Sequence, residues 1–235
     1  MTDVYIYDAL RTPRGKGRKD GSLHEVTALR LSSLTLNAIQ SRNNLSGHAV
    51  EDVIWGNVTQ VGEQGACLAR SAVLASDLDE SIPGLSINRF CASGLEAVNL
   101  AANQVRGGAG EGYIAGGVES MSRVPMASDG GAIAVDPSIT FDQYFVPQGI
   151  GADIIATESG FSRHQGDAHL LGLRRAVDEL ACEGRVEPDR AKRAVGEAPA
   201  IAVALLHQVG DRALRPRLEV LDVLLAHLLH VGLAD

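Results

Sequence analysis

Over the first 120 positions the apolar residues switch between two periods. VYIYDA (4–9) is a short β-type run, and it ends in RTPRGKGRKDG (11–21), where Pro13 and the repeated glycines and charges predict a loop. Between His24 and about Arg42, Val26, Leu29, Leu34 and Ile39 recur at close to helical spacing. VEDVIWGNV (50–58) then predicts a strand, ACLARSAVLAS (66–76) a helix, and GLSIN (84–88) another strand. After a turn at Cys91, Leu95, Val98, Ala102 and Val105 keep one helical face apolar; Gly107 and Gly108 close that helix, and GYIAGGV (112–118) returns to strand. Alternation of this kind predicts an α/β fold with a largely parallel sheet. In such sheets ligands bind outside the carboxyl ends of the strands.

The regular pattern stops near residue 120. Residues 121–163, from MSRVPMASDGG onward, are rich in Gly, Pro and Ser and predict a long loop segment ending in one helix near Gly151 to Ser159. The 72 residues from His164 to Asp235 contain no Ser, Thr, Asn, Met, Phe, Tyr or Trp. Aromatics supply much of a core's buried area, and hydroxyl and amide residues supply caps and turns, so this segment is not the composition of an ordinary domain. The expected organisation is therefore an α/β domain over 1–120, a loop domain beginning at 121–163, and an atypical Ala/Leu/Arg-rich tail over 164–235. Two origins stay open for the tail: a genuine extension, or an out-of-frame reading of a GC-rich gene. Its end, LEVLDVLLAHLLHVGLAD (218–235), has the spacing of one amphipathic helix.

Composition narrows the function classes. The 235 residues carry a net charge of −8 at a sequence pI near 5.4, which disfavours nucleic acid and anionic membrane as general partners. No apolar run approaches the roughly 18 residues of a membrane span. Asp3 and Asp8 interrupt what would be the apolar part of a secretory signal, so a reducing cytoplasm is the expected location. Arg14, Lys16, Arg18 and Lys19 form a basic loop whose ordinary role is to lie in solvent, with contact to an anionic phosphate as the alternative.

Candidate chemistry centres on Cys91. Three cysteines, Cys67, Cys91 and Cys182, are too few and too scattered for a disulfide framework or a zinc site. Cys91 alone follows a strand and opens a helix, where unpaired N–H groups favour a thiolate and can support an oxyanion. Ser93-Gly94-Leu95-Glu96 fits an S-x-x-E capping box, which predicts a helix start within two residues of the thiol. Burial as an inert core thiol is the ordinary role of a free cysteine and stands as the alternative.

NRFCASGLEAVNLAANQVRGG (88–108), followed by AGGVESMSRVPM (115–126), resembles the thiolase family, especially the degradative acetyl-CoA acyltransferases. RTPRGKGRKDGSLHE (11–25) and FVPQGIGADIIATESGFSR (145–163) are similar as well, so the resemblance runs in order from about residue 2 to Arg163. It implies a thiolase-like α/β fold, here with an incomplete sheet, and an acyl-CoA substrate in fatty-acid degradation. Cys91 matches the nucleophile that takes the acyl group, and Gln148 and Gly149 match a segment lining the acyl pocket. Coenzyme A enters as a substrate; no metal or prosthetic group is implied. A homodimer or homotetramer is.

The family mechanism also needs a histidine in a Gly-His-Pro motif and a second cysteine in a glycine-rich motif, both in the carboxyl-terminal half. Neither occurs here. Gly47-His48 is followed by Ala49 and precedes Cys91, and Cys182 lies in ACEGRV. His164, His169, His207, His227 and His230 have no partner motif, and His227 with His230 lacks a third ligand for a metal. Three readings follow: a 3-ketoacyl-CoA thiolase represented by its amino-terminal part, a catalytically inactive fragment of one, or another condensing enzyme such as a ketoacyl synthase. AGGVESMS and the RTP loop favour thiolase over synthase.

Overall fold

A computed structural model of the chain describes residues 3–45 and 49–168, together with the backbone of 202–207. It divides into two compact units. The first, residues 3–129 with the strand 202–207, is a five-stranded sheet flanked by helices.

Four strands and three helices follow the predicted alternation: β1 (Tyr5–Arg11), α1 (Ala28–Asn43), β2 (Asp52–Gly56), α2 (Leu68–Leu74), β3 (Gly84–Ile87), α3 (Ser93–Arg106) and β4 (Gly112–Gly117). A short 3₁₀ turn at Gly62–Gln64 precedes α2. β2 pairs in parallel with both β3 and β4, bringing Gly56 level with Ile87 on one side and Gly117 on the other. The fifth described strand of the sheet, β5 (Ala202–His207), lies between β1 and β4 and is antiparallel to both. The sheet order is thus β1-β5-β4-β2-β3.

Two expectations change here. The tail carries no predicted strand, yet β5 lies within the sheet and pairs with β4. Among the described residues β1 has no pairing with the parallel trio; its partner there is β5. The amphipathic pattern at 218–235 lies outside the described residues.

Period-2 alternation in the strands divides the core into two layers. Val53, Trp55 and Ile114 face one side and pack with Leu36 and Ile39 of α1 and Leu68, Ala72 and Val73 of α2. Ile54, Tyr113 and Ala115 face the other, against Ala97, Ala101 and Val105 of α3. α1 and α2 therefore cover one face, and α3 the other.

The buried faces are wider than the stripes read from hydrophobicity: Ile39 is buried and Val26 and Leu29 pack against the core, as their spacing predicts. In α1, Ala28, Leu31, Ser32, Thr35, Leu36 and Ile39 are buried, whereas Leu34 is 42% exposed. Positions 28, 31, 32, 35, 36 and 39 make a helical stripe, but three of its members in this region are hydroxyl residues or small. Ser32 Oγ donates to Ala28 O at 2.8 Å and Thr35 Oγ1 to Ser32 O at 2.8 Å, so both polar groups enter the core satisfied. Trp55 Nε1 completes the contact by donating to Ser32 Oγ. The helix starts later than His24 because Thr27 is its cap, accepting from Arg30 N through its side chain.

Among its described residues the second unit holds α4 (Ala132–Val135), α5 (Pro137–Asp142), α6 (Gln148–Glu158) and a further helical segment at 163–168. One helix was expected in this stretch, near 151–159; α6 corresponds to it but begins three residues earlier. Asp136 caps α5 by accepting from Ser138 N, with Pro137 at the first helical position, a start signal hidden in a Gly/Pro-rich context.

Candidate active site at the carboxyl ends of the parallel strands

Cys91 lies four residues past the end of β3 and two before the first residue of α3. Its side chain is exposed and its thiol is free. The loop reaches this position through Phe90, which holds φ at 48° and is 65% exposed. An aromatic residue in the left-handed region costs about 1–2 kcal/mol, and such outliers concentrate at functional sites.

The capping box is overturned. Ser93 is the first residue inside α3, Ala92 occupies the cap, and no side chain satisfies the cap. Ser93 is buried, and its hydroxyl turns back into the loop, accepting from Arg89 N at 2.8 Å and donating to Phe90 O. Glu96 pairs instead with Arg89 at 3.1 Å. The left-handed turn at Phe90 carries these backbone groups to the Ser93 hydroxyl, so the S-x-x-E letters serve a loop staple. The thiol sits beside a helix start that no side chain caps, where the Ser93 N–H donates to Phe90 O at 2.9 Å.

Gly56 fixes how close that start comes to the sheet. A Cβ on Gly56 would stand 2.6 Å from Ser93 C and 2.7 Å from Gly94 N. Gly117 is similarly constrained, since its Cβ would meet Gly56 O at 2.5 Å. Two neighbouring strand ends thus lack side chains where α3 begins.

Around this point a polar cluster joins the three strand ends. Glu119, two residues past β4 and half-buried, accepts four N–H donors. Oε2 takes Val58 N at 2.8 Å and Asn57 Nδ2 at 3.4 Å; Oε1 takes Gln64 Nε2 at 2.8 Å and Thr59 N at 3.2 Å. Gln64 is fully buried; its amide also donates to Thr59 O and accepts from Ser120 N at 2.7 Å. Asn57 Nδ2 donates to Val118 O, leaving Asn57 Oδ1 buried without a protein partner. From the β3 side, Asn88 Nδ2 donates to Val58 O at 3.2 Å and Asn88 Oδ1 accepts from Phe90 N at 2.8 Å. Asn57, Gln64, Asn88 and Glu119 were not singled out in the sequence. The available signal was Glu119 itself, a carboxylate directly after the small-residue end of an apolar strand.

A second clasp ties the loop before α1 to the segment after β4. Arg123 Nε donates to both oxygens of Glu63 at 2.8 and 2.9 Å, and Arg123 Nη1 to His24 O. The Arg123 guanidinium holds the Glu63 carboxyl below the usual range. His24 Nδ1 is buried without a partner.

The remaining predicted residues divide between the units. Cys67 is exposed and, like Ala66, has a left-handed backbone; its thiol donates to Gly84 O at 3.3 Å. Gln148 and Gly149 open α6 in the second unit and are exposed. In the basic loop, Lys16 pairs with Asp20 at 3.3 Å. His48, His169, Cys182, His227 and His230 lie outside the described residues, and His207 is described only as backbone. Among the described residues no group of three or more His, Cys, Asp or Glu could hold a metal ion, and no helix is long and apolar enough to cross a membrane.

Residues 4–172 match the family described as thiolase, N-terminal domain. A 3-ketoacyl-CoA thiolase of Pseudoalteromonas atlantica is 35% identical over 188 residues, covering 79% of this chain and 48% of that protein. A 3-ketoacyl-CoA thiolase of Pseudoalteromonas translucida is 32% identical over 221 residues, covering 94% of this chain and 56% of its own. The chain spans about half the length of the curated relatives it matches. Among solved structures, the Acat5 thiolase from Ascaris suum in complex with coenzyme A superposes with a TM-score of 0.65 at 22% identity, over 88% of this chain and 66% of that one. That likeness is one of fold.

Proposed function

Since the chain belongs to the thiolase family by its match over residues 4–172, we propose that it carries the acyl-accepting half of a 3-ketoacyl-CoA thiolase of fatty-acid degradation, with Cys91 as the nucleophile. The supporting observation is an exposed free thiol at the carboxyl end of a parallel sheet, two residues ahead of a helix that no side chain caps. The Cys91 thiolate attacks the ketone carbon of a 3-ketoacyl-CoA; the bond between the α- and β-carbons breaks, and the departing acetyl-CoA carbanion takes a proton. The thiol of a second coenzyme A then removes the acyl group from Cys91. Gln148 and Gly149 line the acyl pocket in this proposal, the cytoplasm is the setting, and subunits pair as a homodimer or homotetramer. The likeness to relatives named for 3-ketoacyl-CoA supports the substrate class.

A second reading is favoured by the chain's coverage of about half of its relatives. Within these 235 residues there is no Gly-His-Pro and no glycine-rich cysteine motif to supply the proton transfers. A positioned base is worth about 10²- to 10⁴-fold, so the chain by itself accepts an acyl group slowly and does not turn over. Incubating the purified chain with acetoacetyl-CoA, followed by peptide mass spectrometry and a thiolysis assay, tests both readings. An acetyl adduct on Cys91, absent from Cys91→Ala, with no measurable thiolysis, is expected. Absence of the adduct removes Cys91 as nucleophile; turnover at the rate of a full thiolase removes the inactive-fragment reading.

A further inference from the structure

We propose that Glu119 is a positioning residue for Cys91, acting through a hydrogen-bonded relay that crosses all three parallel strand ends. The proposal rests on the reading of Cys91 as the nucleophile, but its geometry does not depend on any acyl-CoA.

The relay is continuous. Glu119, after β4, accepts from Val58 N and Thr59 N after β2. The carbonyl of the same Val58 accepts from Asn88 Nδ2 after β3. Asn88 Oδ1 accepts from Phe90 N, the residue bonded to Cys91. Ser93 then closes the loop onto the helix through Arg89 N and Phe90 O. Every residue from 88 to 90 therefore has a bond that fixes the approach to the thiol. Phe90 needs that restraint, because a left-handed aromatic relaxes once its neighbours release it.

A carboxylate is the one side chain that satisfies this cluster. Both Glu119 oxygens accept two donors, and all four donors are N–H groups. A glutamine of the same shape would aim an NH₂ at two of those donors, so the isosteric change is not conservative. Asn57 and Gln64, both buried, complete the cradle through their side-chain amides.

Amide hydrogen exchange on the full chain tests the relay. In Glu119→Gln, exchange is expected to accelerate about tenfold at 57–60 and also at 88–92, the size of one coupling between polar neighbours, while α1 keeps its protection. The rate–pH profile for iodoacetamide at Cys91 is expected to move with it, and that of Cys67 to stay. Acceleration confined to 57–60, with an unmoved Cys91 profile, overturns the proposal: Glu119 would then hold only its own loop. Should Glu119→Gln fail to fold, Asn88→Ala at an exposed position reads the relay from the other end. Because coupling is reciprocal, Val58 and Thr59 must then exchange faster; unchanged rates there overturn the proposal equally. A chain that forms no acyl adduct but passes the exchange test loses the nucleophile reading and keeps the relay.

Discussion

Asp52 enters β2 with one carboxylate oxygen, Oδ1, buried and unpartnered. Burial pushes its carboxyl up, opposed only by a bond from the Val53 backbone. The folded value therefore exceeds the unfolded one. Its favourable contribution is complete below the ordinary aspartate range of about pH 4 and is lost as the pH rises through the raised value. At pH 7 the ionised group is a cost, so Asp52→Asn is expected to raise the urea midpoint at pH 7, with a gain that shrinks toward zero at pH 3. A variant less stable than wild type at pH 7 would contradict this. The placement of Cys91 between a short strand and a helix was legible because the apolar period changes from two to about 3.6 across it. Ser93 was misassigned because letters at the right spacing do not carry φ, and it is the left-handed Phe90 that decides where its hydroxyl points.

Between α3 and β2, fit depends on what is missing from the side chains. α3 presents Ser93, Ala97, Ala101 and Val105 to the sheet, three of them small, and Gly56 lies under its first turn. Gly56→Ala would push a methyl into the Ser93 backbone. The expected cost is about 1–3 kcal/mol, together with displacement of the Cys91 loop. Thermal unfolding and Cys91 labelling measure the two effects, and unaltered values of both would mean that α3 shifts freely. The strand and helix order was legible because long apolar periods survive local noise. The faces were legible in part. The expected stripe in α3 is Leu95, Val98, Ala102 and Val105; Val105 is fully buried and Val98 and Ala102 pack at its flanks, while the small residues Ser93, Ala97 and Ala101 take the closest approach to the sheet. In the second unit, Gly/Pro-rich composition hid α4 and α5, whose starts depend on single residues such as Asp136 and Pro137.

Across the first unit, β1 and β3 are the two edges of the described sheet, and on β3 Leu85 is 39% exposed. An unprotected edge pairs readily with another strand. If subunits associate there, Leu85→Lys lowers the molar mass seen by light scattering to that of one chain; an unchanged oligomer excludes β3 from the interface. β5 was the least legible part of the molecule. AVALLH resembles any short apolar run, and nothing local distinguishes a strand from a helix segment over six residues.

Its place in the order has a temporal consequence. β1 is made first, but its described partner in the sheet is β5, and β5 begins 85 residues after β4 ends (202 − 117). During synthesis at about 5–20 residues per second, the trio of β2, β3 and β4 is complete roughly 4–17 s before β1 can be tied to it. The parallel trio, with Cys91 at its carboxyl end, is thus born with one margin waiting for a strand the ribosome has not yet delivered.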